Sequence, residues 1–370
     1  MYGLYIHIPF CYKKCSYCDF VSFGGRQEFL PSYLHALKNE ALNFKGENIK
    51  TVFIGGGTPS LMSTEQIEDI CSFIHNNFNV SADAEFTMEA NPQSLTLEKL
   101  KACKNGGVNR ISLGAQSLSD DVLTAIGRSH TLNELEYAIE NIKNSDFNNF
   151  NLDLIFALPG QNLEMWRKTI LKAVDYDPTH ISCYSLILDP QTPMGAAFAR
   201  GELSVPDEET ERQMYKAINE ILSSNDIYQY EISNYAKKGF ECKHNINYWQ
   251  ANEYIGLGCA AHSYYKGTRY RNTTNLKTYI SGRDIIRDKE NLTLTDMQEE
   301  FLMLGLRMNR GISIPEYNNK FSCDFKNKFN KTITKLNKAQ LIDIKEGRLF
   351  LTEKGLDLCD SVVLEFVKEI

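Results

Sequence analysis

Along the first 235 residues, short apolar runs alternate with longer stretches whose apolar positions recur every three or four residues. Leu4, Ile6 and Ile8 alternate with Tyr5 and His7, the two-residue period of a strand. Val52-Phe53-Ile54 is a continuous apolar run ending in Gly55-Gly56-Gly57 and then Thr58-Pro59. Residues 84–89, 110–114, 150–156 and 181–188 read as four more strands. Between them, Ser63 with Gln66 forms a capping box opening a helix to residue 78. Thr131 with Glu134 opens another over 132–143, and 164–174 reads as a third. Strands separated by amphipathic helices imply a parallel sheet covered by helices. Six such units in series predict an α/β fold with a partial (β/α)6 barrel of the TIM type; an open doubly wound sheet is the alternative.

The second part of the chain reads differently. Pro190, Pro193 and Pro206 punctuate the approach to a helix over 207–223. Residues 228–266 are rich in Tyr, Asn and Gly with little periodicity, and read as loops and short strands. From Leu294 helical patterns return: Thr295 and Gln298 cap a run reaching Met308, and 333–341 is helical. Residues 342–351 form a hairpin turning at Glu346-Gly347, and 356–367 is a final helix. Helices followed by a two-stranded wing predict a small winged-helix-like domain. The expected division is therefore a barrel over 1–235, a connecting segment over 236–292 and a C-terminal domain over 293–370.

Composition narrows the function classes. A 42% apolar and 24% charged chain is neither disordered, collagenous nor a coiled-coil rod. Net charge is 40 − 47 = −7, so no basic face for a polyanion is indicated. The winged domain carries equal numbers of acidic and basic residues, so it is expected to serve structure or a protein partner, not nucleic acid. No apolar run approaches the ~18 residues of a transmembrane segment, and Met1 to Phe10 lacks the features of a signal peptide. Ten cysteines without a disulfide-like spacing fit a reducing, cytoplasmic setting. Seven are scattered and read as small core residues.

The other three are concentrated: Cys11-Tyr-Lys-Lys-Cys15-Ser-Tyr-Cys18. Three thiolates on one short loop can hold three corners of a cubane 4Fe-4S cluster, leaving one iron open. Zinc is the alternative, but a structural zinc site wants four closed ligands and no second cysteine pair follows. His7 and His35 are the candidates for a fourth ligand, without a motif to support either. Tyr12, Lys13, Lys14 and Tyr17 between the cysteines would shield a cluster and offset its charge.

The stretch Tyr5-Ile-His-Ile-Pro-Phe-Cys11 through Cys18 resembles the radical S-adenosylmethionine (SAM) superfamily. Within it, the branch holding oxygen-independent coproporphyrinogen III oxidases and HemW haem chaperones is the most similar. Further motifs carry the likeness through most of the chain: Gly55-Gly-Gly-Thr-Pro59, Glu89-Ala-Asn-Pro92, Gly114-Ala-Gln116-Ser117, Gly127-Arg128, Asp153 with Leu158-Pro-Gly-Gln161, and His244-Asn-Ile-Asn-Tyr248-Trp249. The resemblance implies a 4Fe-4S cluster on Cys11, Cys15 and Cys18, with SAM on its open iron. It implies SAM contacts from Tyr5, Tyr17, Gly56, Gly57 and Thr58, and a carboxylate, Glu89, beside them. It implies that Gln116, Arg128 and Asp153 line a nucleoside site, a second SAM in the oxidases. A carboxylate inside a strand such as 150–156 needs a partner, and Arg128 is one candidate for Asp153, the polar groups of SAM another.

Two departures separate this chain from the oxidases it resembles. They carry a further cysteine where Phe20 stands, and a long segment ahead of the cluster where ten residues precede Cys11. Both match the chaperones, as does the His244-Asn245-x-x-Tyr248-Trp249 motif, associated there with haem. His244 is a candidate axial ligand, Tyr248 and Trp249 candidates to stack on a porphyrin, and Cys242 a second possible ligand. A packed aromatic corner is the alternative for this motif. Residues 256–262 read as a loop at the barrel mouth, with His262 a weaker candidate. The expectation is a haem chaperone that transfers haem to an acceptor protein the sequence does not name. The alternative is an enzyme that oxidatively decarboxylates coproporphyrinogen III.

Overall fold

The computed structural model describes residues 1–370. Strands β1 (Tyr2–Ile8), β2 (Asn48–Gly56), β3 (Asn79–Ala90), β4 (Arg110–Gln116), β5 (Phe150–Phe156) and β6 (His180–Ser185) lie side by side in chain order, all parallel. The crossovers carry helices Leu30–Ala41, Thr64–Asn77, Leu97–Asn105, Leu132–Asn144 and Leu163–Asp175. Their starts are fixed locally. Ser63 and Gln66 make the reciprocal capping box, and so do Thr131 and Glu134.

These strands alternate, which is unusual for parallel strands covered on both faces. One parity is apolar and fully buried against the helices: Leu4, Ile6, Ile8, Val52, Ile54, Met88, Ile111, Leu113, Leu152 and Leu154 belong to a 58-residue core. The other parity is polar or aromatic and points inward: Tyr5, His7, Phe53, Glu89, Arg110, Ser112, Asn151 and Asp153. A barrel interior filled by branched apolar residues would be solid. This one is lined by groups that need partners, and it is hollow.

The sheet does not end with the six units. β7 (Tyr228–Glu231) and β8 (Asn234–Ala236) extend it antiparallel beyond β6. β9 (Tyr254–Leu257) returns to the opposite edge and pairs in parallel with β1. β10 (His262–Tyr265), β11 (Thr268–Asn272) and β12 (Ile286–Asn291) follow antiparallel, so a twelve-stranded open sheet runs from β12 to β7. Segment 236–292, expected as a connection, thus supplies four strands, a helix at Leu276–Ser281, and a further helix, Lys243–Trp249. Sequence periodicity misses that helix because it spans two turns and buries two polar residues, His244 and Asn247.

The C-terminal region has its own 17-residue core. The rings of Tyr317, Phe325, Phe329 and Phe366 meet there at centroid distances of 4.9 Å (Tyr317–Phe325), 4.8 Å (Phe325–Phe329) and 5.4 Å (Phe329–Phe366). Helix Leu294–Gly305 is capped by Thr293 with Asp296, two residues earlier than the Thr295 and Gln298 pairing expected from sequence. The hairpin Ile342–Lys345 and Arg348–Leu351 turns at Glu346 and Gly347, both at positive φ (50° and 75°), as a two-residue primed turn requires. Ile312–Ser313 adds a third strand. This region packs on the barrel beside helix Lys243–Trp249, with the Arg307 guanidinium 5.0 Å from the Trp249 ring centroid.

Candidate functional site

The cysteine loop follows the carboxyl end of β1, where ligands of parallel barrels sit. Cys11, Cys15 and Cys18 are all partly exposed. The loop is pinned to the barrel: Phe23 N–H donates to the Pro9 carbonyl (2.7 Å), and the Ser16 hydroxyl to the Ile126 carbonyl (2.8 Å). Thr58 Oγ1 donates to Cys11 Sγ and Arg128 Nη1 to Cys15 Sγ, each at 3.6 Å. Burial pushes the Cys11 thiol up, and Cys18 up to about 11, so loading a metal there releases protons. No three His, Cys, Asp or Glu side chains converge at single-ion spacing. All three thiols line one pocket.

That pocket, about 150 Å³, brings together nearly the whole expected SAM set: Tyr17, Gly56, Gly57, Thr58, Glu89, Gln116, Arg128 and Asp153. Gly56 has φ +113°, and a Cβ on it would stand 2.4 Å from His7 Nδ1. Its N–H donates to Glu89 Oε2 at 2.9 Å. Burial, and then the Asp153 charge, hold the Glu89 carboxyl up to about 8. Asp153 takes Asn151 Nδ2 (2.7 Å) and Ser112 Oγ (3.1 Å). The expected pairing of Asp153 with Arg128 does not occur: Arg128 Nη2 donates to Asn91 Oδ1 (2.7 Å) and the Gly114 carbonyl (2.8 Å). Arg128 lies beside the cysteine loop, while Asp153 points into the barrel. Gln116 Oε1 and Arg128 Nε are buried without a partner. Orphaned polar atoms, a Cβ-free cradle and three thiols fit a cluster with a polar nucleoside ligand beside it.

A second cavity of about 900 Å³ continues from this pocket down the barrel. Phe20, Glu89, Ser112, Asp153 and Tyr184 line both. Tyr5, alone of the expected SAM contacts, lies in this larger cavity and not in the smaller pocket; its hydroxyl donates to His7 Nδ1 at 2.9 Å. His7 Nε2 is satisfied by the Val21 carbonyl (2.8 Å), and the exposed His35 meets Asn39 (3.1 Å), so neither histidine joins the cysteines.

His244, Asn245, Tyr248 and Trp249 line the far end of the larger cavity. His244 is buried and stacks on Phe53 with ring centroids 5.2 Å apart. Its Nδ1 meets Thr51 Oγ1 and its Nε2 meets Tyr248 Oη, both at 2.9 Å. Burial, with the Arg110 charge second, lowers it to about 3, so it is a neutral imidazole. An iron ligand at His244 requires Tyr248 to swing away from Nε2. Cys242 is not available as a ligand: it is fully buried and its Sγ faces Glu85 Oε1 at 3.4 Å. His262 is exposed at the cavity mouth.

Two model families match the chain: the Radical SAM superfamily over residues 5–173 and the HemN C-terminal domain over residues 292–358. The chain is 37% identical over 365 residues to the heme chaperone HemW of Lactococcus lactis, covering 98% of this chain and 96% of that protein. It is 38% identical over 382 residues to the heme chaperone HemW of Bacillus subtilis, covering both completely. The chain belongs to the HemW family. The family's fold extends to a solved structure of coproporphyrinogen III oxidase (HemN) from Escherichia coli. That structure superposes with a TM-score of 0.86 at 22% identity, over 100% of this chain and 90% of the other.

Within this HemW-family fold, two inward residues escaped sequence reasoning. Glu85 is buried, and its carboxylate accepts from the backbone N–H groups of Lys243 (2.9 Å) and His244 (3.0 Å). It caps the helix that carries the His244 motif from 158 residues away. Arg110, first residue of β4, is only 2% exposed and lines the larger cavity. The one sequence signal for either was parity: a charged residue two positions before an inward-facing Thr87 or Ser112.

Proposed function

We propose that this chain is a haem chaperone, holding a 4Fe-4S cluster on Cys11, Cys15 and Cys18 with SAM beside it, and passing haem to an acceptor protein. The observation that carries this reading is the continuity of the two cavities: the cysteine pocket opens directly into a larger cavity walled by His244, Asn245, Tyr248 and Trp249. Relatives named heme chaperone over almost the full chain support it. When bound, the cluster and SAM supply one-electron chemistry. The chain's own residues do the rest. The three thiols hold the cluster, and Thr58 and Arg128 donate to two of the sulfurs. Gly56 and Gly57 let backbone approach the nucleoside. Glu89 holds a proton that an adjacent ammonium would release. Gln116, Arg128 and Asp153 complete the nucleoside side, and Tyr5 and Tyr17 close it from either cavity. No helix is long and apolar enough to cross a membrane, and ten free thiols fit the cytoplasm. A barrel over 1–235, a segment over 236–292 and a partner-binding domain over 293–370 remain our division of labour.

The test is anaerobic reconstitution with iron and sulfide, then haem titration with and without SAM. The expected result is iron and sulfide that vanish in Cys11→Ala, about one haem bound per chain, and no turnover of coproporphyrinogen III with SAM and reductant. Turnover assigns the oxidase activity instead. Zinc at the three cysteines, or no haem binding, overturns the proposal.

A further inference from the structure

We propose that Arg110 is the carboxylate anchor of the larger cavity, receiving a propionate of the tetrapyrrole deep in the barrel. This rests on the haem reading and adds to it a binding residue outside the His244 motif.

The argument begins with charge. Arg110 is 2% exposed, and its Nε has no hydrogen-bond partner. It takes part in none of the structure's ion pairs. An unpaired guanidinium inside a protein is costly, so such a group is kept where something else meets its charge. The carboxylates of Glu85 and Asp153 act on its charge without pairing with it, and their oxygens bond elsewhere. Glu85 accepts from Lys243 N–H, His244 N–H and Cys242 Sγ. Asp153 accepts from Ser112 and Asn151. The side chain faces the larger cavity and does not line the cysteine pocket, so the carboxylate of SAM is not its partner. One other arginine lines the cavity, Arg269 at its mouth, and both its terminal nitrogens pair with Glu300. Arg110 is therefore the guanidinium of this wall with no direct partner; the Glu85 and Asp153 charges reach it only from beyond ion-pair distance.

The cavity around it specifies the anion. Its volume of about 900 Å³ lies within the ~300–1,000 Å³ of small-molecule sites. Flat walls come from Phe53, Tyr5, Tyr248 and Trp249, suited to a macrocycle. A planar guanidinium fork takes a carboxylate in two parallel bonds, which a lysine does not reproduce. A ligand both flat and carboxylated meets both features at once.

The test compares haem with haem dimethyl ester, whose propionates are neutral, on the reconstituted full chain. Wild type is expected to bind haem about 10- to 100-fold more tightly than the ester, the range for a hydrogen-bonded charge. Arg110→Met, which keeps length and apolar packing, is expected to bind both alike within about twofold. Arg110→Lys is expected to keep part of the preference. Iron and sulfide loading, read in parallel, stays at wild-type level, because the cysteines lie in the other pocket. A wild type that binds haem and ester equally overturns the anchor while leaving the haem reading intact. So does an Arg110→Met chain that keeps the full preference; should that variant not fold, a full preference in Arg110→Lys counts against the anchor in the same way, and a reduced one supports it. A wild type that binds neither ligand removes the haem reading itself.

Discussion

Glu85→Ala separates the helix that carries His244 from the strand that holds it. Helix Lys243–Trp249 has seven residues, too few to be stable by propensity. Its first two N–H groups end on one buried carboxylate, at 2.9 and 3.0 Å. Hydrogen bonds to charged groups contribute about 1.5–3 kcal/mol each, so removing both costs the helix about 3–6 kcal/mol. The neighbouring Arg110 charge, which Glu85 offsets, adds in the same direction. Glu85→Gln keeps neutral acceptance and is expected to cost about 1–3 kcal/mol. Hydrogen exchange reads this locally. At 1.36 kcal/mol per decade, Glu85→Ala lowers protection across residues 243–249 by about 150- to 25,000-fold. Haem affinity falls with it, while iron and sulfide loading at Cys11, Cys15 and Cys18 stays unchanged. Protection in Glu85→Ala within threefold of wild type would refute the cap as the element that fixes the motif.

Two further expectations follow from the smaller pocket. Gly56→Ala forces a Cβ to within 2.4 Å of the His7 ring at φ +113°, so the variant is expected to lose SAM binding, measured by equilibrium dialysis, and to melt below wild type. Glu89 has its folded pKa raised from 4.5 to about 8, so the stability tied to its proton is fully present below about pH 4.5 and is lost as pH rises through about 8. In denaturant titrations of the cofactor-free chain, wild type should match Glu89→Gln near pH 5 and fall below it by pH 8.5; a constant difference across that range contradicts a neutral Glu89.

What the sequence disclosed was what is encoded locally. The capping boxes of Ser63 and Thr131 satisfy N–H groups three residues away, so residue type and spacing suffice. The cysteine loop is readable for the same reason: its three thiols lie within eight residues. At 293–298 the local code was ambiguous, because two threonines compete two residues apart and Thr293 wins by pairing with Asp296. Long-range partners were out of reach. Charge complementarity matched Asp153 with Arg128, but strand register places Ser112 and Asn151 beside Asp153 instead. The Lys243–Trp249 helix exists because Glu85 lies under it, a contact no window of sequence contains. Nor does the pattern of residues 254–257 reveal that they pair with β1 and not with a nearer strand.

The hollow barrel has a consequence for how its two cavities communicate. Glu89 and Asp153 stand in the wall common to both. With the smaller pocket holding no cation, burial first, and then the charge of the neighbouring carboxylate, favour the protonated form of Glu89 near neutrality. A sulfonium or ammonium entering that pocket favours the ionised Glu89 and screens both carboxylates. A carboxylate-bearing ligand in the larger cavity then meets a wall whose negative charge is compensated. Coupling of this kind is reciprocal: a ligand that is bound more tightly when the cation is present must tighten the cation in turn. The cysteine pocket and the aromatic cavity are therefore linked through two side chains, and no rearrangement of the sheet is needed to connect them.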